Sequence, residues 1–189
     1  SYDQKIMIAR TLEELGADIL EAGFPVNSQE EFEAVRDIAK NSSSCQIAGL
    51  ARAEQKDVAR AFDAVKYAGE RARIHVFHGS SDIHLKHKFN GRTVEEGIGY
   101  SVRAIKHAQD IMDGKGTVQF SCEDATRSSI SNLVKFCSAA ITAGATVINL
   151  PDTVGYAIPS EYSDMFRAVI KGINDKGIKT SDIIFSVHC

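Results

Sequence analysis

No stretch of this sequence approaches the ~20 consecutive apolar residues that a membrane-spanning helix needs. Its first residues, Ser-Tyr-Asp-Gln-Lys-Ile, also lack the basic and then apolar profile of a secretory leader. Both absences point to a cytoplasmic protein with no membrane partner. Basic blocks and acidic tails are missing too. Lys and Arg number 22 against 25 Asp and Glu, a net charge of −3. Without clustered cations there is no electrostatic footprint for a nucleic acid. The four cysteines, Cys45, Cys122, Cys137 and Cys189, include no CxxC pair. They build neither a disulfide framework nor a zinc ribbon and read as reduced thiols, Cys45 and Cys137 as small buried hydrophobes. Neither a G-x-G-x-x-G turn nor a Walker loop occurs, which removes the commonest nucleotide-binding reasons for an open parallel sheet.

What remains is ordinary for a globular domain: 189 residues, 43% hydrophobic and 25% charged. One unit repeats along the chain. An amphipathic helix over residues 3–15 stops at Gly16, and an apolar strand over 17–24 follows. Ser28 then reads as an N-cap, with Glu31 completing a capping box. Phe32, Val35, Ile38 and Ala39 form the apolar stripe of that second helix. The pattern continues with strand 46–51, helix 54–67, strand 72–77, a longer connection, helix 93–112 and strand 117–121. Helix 130–143, strand 146–150, helix 160–174 and strand 182–187 complete it. Three junctions, at Gly16, Gly69 and Gly144, share a helix that ends in glycine and re-enters the sheet.

Six apolar strands separated by helices imply parallel pairing with helical crossovers. A barrel and an open doubly wound sheet both fit that pattern. The polar residues favour the barrel. They gather just after the strands, at Arg52, Ser81 to His84, Glu123-Asp124, Asp152-Thr153 and His188, and barrel enzymes build their sites on that rim. The expected fold class is therefore α/β, a (β/α)₈ TIM barrel forming a single catalytic domain over residues 1–189. It is incomplete, six strands where eight close a barrel. One unit is expected before the chain and about one after, because an open parallel sheet leaves two bare edges.

Several rim residues carry chemistry. Glu123 sits directly at a strand end, where a carboxylate accepts hydrogen bonds or moves protons. Asp124 next to it is equally suited to capping the following helix. Thr153 offers a hydroxyl to a carboxylate ligand, or shapes a turn. Of the six histidines, His107 reads as a surface residue, and His75 and His78 as metal ligands or as locally satisfied side chains. His84 and His87 lie in the long connection, the kind of loop that often carries function. His188 projects from the last strand tip, where a ligand role requires a second donor.

Six segments then occur in a telling order: Glu21-Ala22-Gly23-Phe24-Pro25, Gly49-Leu50-Ala51-Arg52, Ser81-Asp82-Ile83-His84, Ser121-Cys122-Glu123-Asp124-Ala125, Asn149-Leu150-Pro151-Asp152-Thr153-Val154-Gly155 and Ser186-Val187-His188. Together, each at a strand end, they resemble the family of acyl-CoA-dependent aldol and Claisen enzymes, which contains several 2-oxo-acid synthases and hydroxymethylglutaryl-CoA lyase. The resemblance implies condensation of acetyl-CoA with a 2-oxo acid and hydrolysis of the thioester. The expected acid is 3-methyl-2-oxobutanoate, in leucine biosynthesis; pyruvate and 2-oxoglutarate, the substrates of citramalate and homocitrate synthases, are the alternatives. It further implies a divalent cation (Mg, Mn or Zn) held by an aspartate and an H-x-H pair, of which His188 matches the first histidine. Glu123 and His84 would be the catalytic groups, with Ser121 and Thr153 binding the oxo acid and Arg52 and Glu21 as neighbours. Family members are often homodimers, and the same is expected here. The chain departs from the usual pattern at His78-Gly79, where relatives carry small or apolar residues, so the choice of oxo acid stays open. A non-catalytic barrel that binds small molecules is the alternative from another class. A phosphate-binding barrel isomerase would want a glycine-rich loop after the seventh or eighth strand.

Overall fold

Helix and strand alternate six times along residues 1–188, which the computed structural model describes; Cys189 lies outside the described residues. The first half contains α1 (Tyr2–Glu14), β1 (Ile19–Gly23), α2 (Gln29–Asn41), β2 (Gln46–Arg52), α3 (Gln55–Val65) and β3 (Ala72–Gly79). The second contains α4 (Val94–Met112), β4 (Thr117–Glu123), α5 (Ile130–Thr142), β5 (Val147–Pro151), α6 (Pro159–Asn174) and β6 (Ile184–His188). Between β3 and α4 a single wide helical turn, His84–Lys88, occupies the long connection.

All six strands are parallel and pair in sequential order, β1-β2-β3-β4-β5-β6. That order decides between the two architectures. Right-handed crossovers that always advance in one direction place every helix on the same face of the sheet. A doubly wound sheet reverses its order partway and carries helices on both faces. Here each helix packs on the next, from α1 on α2 to α5 on α6. The result is a partial TIM barrel, as the rim residues imply. No helix among the described residues is long and apolar enough to cross a membrane.

Local chemistry explains the element ends. Ser28 Oγ accepts from Glu31 N at 3.0 Å, but the reciprocal half of the expected capping box is absent. Glu31 is drawn elsewhere: its carboxylate accepts from Phe24 N at 2.9 Å and from Lys5 Nζ, which ties α2 to α1 and the end of β1. A complete box opens α4, where Glu96 N donates to Thr93 Oγ1 at 3.2 Å and Thr93 N to Glu96 Oε2 at 2.8 Å. The junction glycines Gly16, Gly69 and Gly144 have φ of +84°, +62° and +111°, a region closed to most side chains.

Along each strand the side chains alternate between two surroundings. Ile47, Ile74, Val76, Phe120, Ile148 and Leu150 face the helices and are wholly buried. Each contributes about 1.5–3 kcal/mol by leaving water. The residues between them face the barrel interior and are largely polar, among them Arg73, His75, Gln119, Ser121 and Asn149. At the bottom of the interior Arg73 donates to Gln119 Oε1 at 3.0 Å and to Thr117 Oγ1 at 3.1 Å. Cys45, Cys122 and Cys137 are free and fully buried, as small hydrophobes.

Candidate active site

Above that floor a belt of hydrogen bonds crosses the interior from β1 to β6. His75 lies between Glu21 and Ser121, with Nδ1 on Glu21 Oε2 and Nε2 on Ser121 Oγ at 2.6 Å. Ser121 Oγ contacts Asn149 Oδ1 at 2.7 Å, and Asn149 Nδ2 donates to the carbonyl oxygen and hydroxyl of Ser186, both at 3.2 Å. Donor counting orients the Asn149 amide. A carbonyl only accepts, so the Asn149 amide nitrogen must face Ser186 and its oxygen must face Ser121. The one Ser121 proton then goes to Asn149, and the Gln119 amide nitrogen also lies against the His75 ring, 3.2 Å from Nε2 and 3.4 Å from Nδ1. Glu21 holds the other side of the ring through Nδ1. Burial opposes ionisation of Glu21, but the hydrogen bond and charge of His75, with His188 and Arg73 nearby, outweigh it and hold the carboxyl below its usual range.

The rim above this belt is braced by side chains from the loops. Lys88, on the wide turn, donates to both oxygens of Glu123 at 2.7 and 2.6 Å. His84 stands behind Glu123, its Nδ1 3.7 Å from Glu123 Oε2 and its Nε2 3.7 Å from Asp124 Oδ2. Only glycine fits beneath it: a Cβ on Gly79 would lie 2.6 Å from His84 Nδ1. Asp124 makes no side-chain cap. Fully buried, it accepts from Ser81 Oγ at 2.5 Å and Arg127 Nε at 2.7 Å. Its backbone N–H donates to Thr153 Oγ1 at 2.9 Å, which leaves the Thr153 hydroxyl proton free to point outward. Asp152 accepts from Ala157 N at 2.9 Å and Thr126 Oγ1 at 2.8 Å, and the bond from Ala157 leads in lowering its pKa.

These groups surround a cavity of about 390 Å³ at the C-terminal tips of the strands. His75, Ser121 and Asn149 form its floor, Leu50, Phe77 and Pro151 an apolar wall. Glu21, Glu123, Thr153 and His188 stand around its mouth. Five residues expected from the sequence therefore meet in one place: Glu21, Ser121, Glu123, Thr153 and His188. Arg52 and His84 do not line it. Arg52 is turned away and committed to the buried Asp57, Nε to Oδ2 at 2.5 Å and Nη2 to Oδ1 at 3.2 Å. His84 reaches the cavity only through Glu123. Asn149 was not among the expected site residues, and His75, read as a metal ligand or a locally satisfied side chain, is bonded to Glu21 and Ser121 on the cavity floor. Their signal is a polar residue at every second position of an otherwise apolar strand: Arg73-x-His75 in β3, Gln119-x-Ser121-x-Glu123 in β4 and Asn149 in β5.

A divalent cation requires several donors at one point. Among the described residues no three His, Cys, Asp or Glu side chains gather in that way. His188 brings one imidazole to the mouth of the cavity, so residues 1–188 do not by themselves form the complete ligand set.

Fold and site together define a partial parallel α/β barrel with a cavity at its strand tips, floored by a hydrogen-bonded belt. The HMGL-like family model matches residues 1–189, and the chain belongs to that family. It is 45% identical over 189 residues to a 2-isopropylmalate synthase of Caulobacter sp. (strain K31). It is 46% identical over 186 residues, 98% of the chain, to one of Pelotomaculum thermopropionicum. The chain spans about a third of the length of these curated relatives, 34% and 35%. In fold it matches hydroxymethylglutaryl-CoA lyase of Pseudomonas aeruginosa with a TM-score of 0.70, covering 93% of this chain and 59% of that one at 15% identity. The Bacillus subtilis HMG-CoA lyase gives a TM-score of 0.68 at 16% identity, covering 98% of this chain and 69% of that one.

Proposed function

We propose that this chain forms the oxo-acid pocket of a 2-isopropylmalate synthase, which condenses acetyl-CoA with 3-methyl-2-oxobutanoate and hydrolyses the thioester. The observation that carries this reading is the convergence of Glu21, His75, Ser121, Glu123, Thr153 and His188 on one cavity from strands distant in sequence. The cavity's two halves suit such an acid. Leu50, Phe77 and Pro151 offer an apolar wall to the branched alkyl group. Thr153, whose oxygen is already held by Asp124 N, has its proton available for the carboxylate.

In the reaction a methyl proton leaves acetyl-CoA, the resulting enolate attacks the 2-oxo carbon, and water then cleaves the thioester to release free CoA thiol. The alkoxide that forms on the former carbonyl needs positive charge and hydrogen-bond donors set in advance. His75, held between Glu21 and Ser121, brings a fixed hydrogen-bonding ring to the floor. Glu123, held by Lys88, orients the acid and handles protons at the mouth, and His84 acts on the chemistry by positioning Glu123. A divalent cation (Mg, Mn or Zn), when bound at His188 with donors from outside the described residues, supplies Lewis-acid polarisation of the carbonyl. The active form is proposed to be a cytoplasmic homodimer.

The test is thiol release from acetyl-CoA by the full-length protein with a panel of 2-oxo acids. The largest kcat/KM is expected with 3-methyl-2-oxobutanoate. Preference for pyruvate or 2-oxoglutarate would move the assignment to a citramalate or homocitrate synthase, and no thiol release with any acid would remove the synthase reading.

A further inference from the structure

His78 follows Ile74 and Val76 in the outward row of β3 and is buried as they are. Room for its ring is built into α4, where a Cβ on Gly97 would lie 3.0 Å from His78 Cε1 and 2.9 Å from Phe136 Cζ. The ring is stacked between Phe89 at 4.3 Å and Phe136 at 5.7 Å. Both ring nitrogens have partners of fixed sense. Nδ1 must donate to the carbonyl oxygen of Gly79 at 2.8 Å, and Nε2 must accept from Arg92 Nη1 at 2.9 Å. That arrangement requires the neutral ring, which burial favours.

A polar ring buried on an apolar face needs a partner, and this one finds it on the connection between β3 and α4. Phe89 and Arg92 both reach back to His78. Between them Asn90 and Gly91 turn the chain in the left-handed region, at φ of +55° and +84°. Arg92 is caught further by α4, its guanidinium 3.8 Å from the centre of the Tyr100 ring. The first half of the connection is held by Leu85, which is buried, and by Gly91 N, which donates to Leu85 O at 3.1 Å and Lys86 O at 3.0 Å. Lys88 stands between these two anchors. A lysine side chain has many rotamers to lose, so its hold on both oxygens of Glu123 depends on where its backbone starts. His78 itself does not line the catalytic cavity.

We propose that His78 is a positioning residue: it fixes the connection from His84 to Arg92 in the place from which Lys88 holds Glu123. Its effect on turnover rests on the reading of Glu123 as the group that orients the oxo acid, whereas its hold on the connection does not.

The experiment reads amide hydrogen exchange over residues 84–93 of the full-length protein beside kcat with 3-methyl-2-oxobutanoate. His78→Phe keeps the stacked ring and loses both hydrogen bonds. His78→Gln keeps an amide oxygen that can accept from Arg92. Arg92→Leu removes the same bond from its less buried end, and Lys88→Met supplies a background in which the link is already cut. His78→Phe should speed exchange in the segment about tenfold, while β4 and α5 exchange as in wild type. It should lower kcat about tenfold, the scale of one lost charged hydrogen bond. Arg92→Leu should match it, and His78→Gln should recover part of both losses. In the slowed Lys88→Met protein, His78→Phe should cost no further kcat. Unchanged exchange in both His78→Phe and Arg92→Leu overturns the proposal. So does wild-type kcat in Lys88→Met, or a kcat loss from His78→Phe that is as large with methionine at 88 as with lysine. If no oxo acid is turned over but His78→Phe still loosens residues 84–93, the synthase reading fails and the hold on the connection stands.

Discussion

Within β4, Val118, Phe120 and Cys122 look outward and are completely buried, while Gln119, Ser121 and Glu123 look inward. The outward residues lie against α5 and its neighbours in an apolar layer. The inward residues take part in hydrogen bonds that run to β3, β5 and the loops. One strand therefore serves two purposes, and the difference shows how they depend on each other. A slip of one residue would exchange the faces entirely. The apolar side thus sets the register that pairs His75 with Gln119 and Ser121 with Asn149. The polar side returns little stability, because a buried polar group is tolerated only when it is paired. Its completeness from Glu21 to Ser186 is what allows it to exist inside the barrel.

The sharpest way to break this comparison is to substitute adjacent residues. Phe120→Ala removes a fully buried ring stacked on Phe136 at 6.5 Å. It should cost about 3–5 kcal/mol in urea unfolding of the full-length protein. Ser121→Ala, one position on, should cost about 1–2 kcal/mol, the penalty for leaving Asn149 Oδ1 without a donor. It should also lower kcat/KM for the oxo acid, because Ser121 and the His75 ring it contacts form the cavity floor. Equal destabilisation by the two would show that the faces do not divide the work in this way.

Acid tests the outward face at its one histidine. Burial holds the His78 imidazole at about 4, against 6.5 when free, and the neighbouring charges of Arg92 and Lys88 push the same way. Between those values the unfolded chain binds a proton that the native chain refuses, so stability rises with pH across the window. Going from pH 6.5 down to 4, His78 should remove about 3 kcal/mol, at about 1.36 kcal/mol per unit. Below about 4 both states carry the proton and the contribution stays lost. His78→Leu should be flatter by that amount over the same range. Parallel stability curves for the two proteins would count against it.

Much of the outward face was legible in the sequence, because an amphipathic helix, an N-cap serine or threonine and a terminal glycine are local signals. The inward face was legible only at its ends. Glu123, Thr153 and His188 follow a strand, where barrel logic looks first. His75 and Asn149 sit inside strands and betray themselves only by alternation, which stays hidden while a strand is read simply as apolar. Arg52 and His84 follow strands too, yet they leave the cavity for reasons that lie elsewhere in space: Asp57 captures the first, and Glu123 stands in front of the second. The missing half of the Ser28 box has the same cause. Glu31 has better partners in Phe24 N and Lys5 than in its own cap.

The smallest effect should come at Thr153, where the loops that continue the two faces meet. Its oxygen accepts from Asp124 N, so the backbone after β4 is pinned to the backbone after β5. Its proton is proposed to serve the substrate carboxylate. Valine keeps the shape and loses both bonds; serine keeps both and loses a methyl. Thr153→Val should cost about 1 kcal/mol of stability and raise KM for the oxo acid about tenfold, since a bond to a charged group contributes more than a neutral one. Thr153→Ser should recover the KM. If valine lowers stability without moving KM, Thr153 is a structural brace, and the carboxylate must be held by the belt below, through His75 and Ser121.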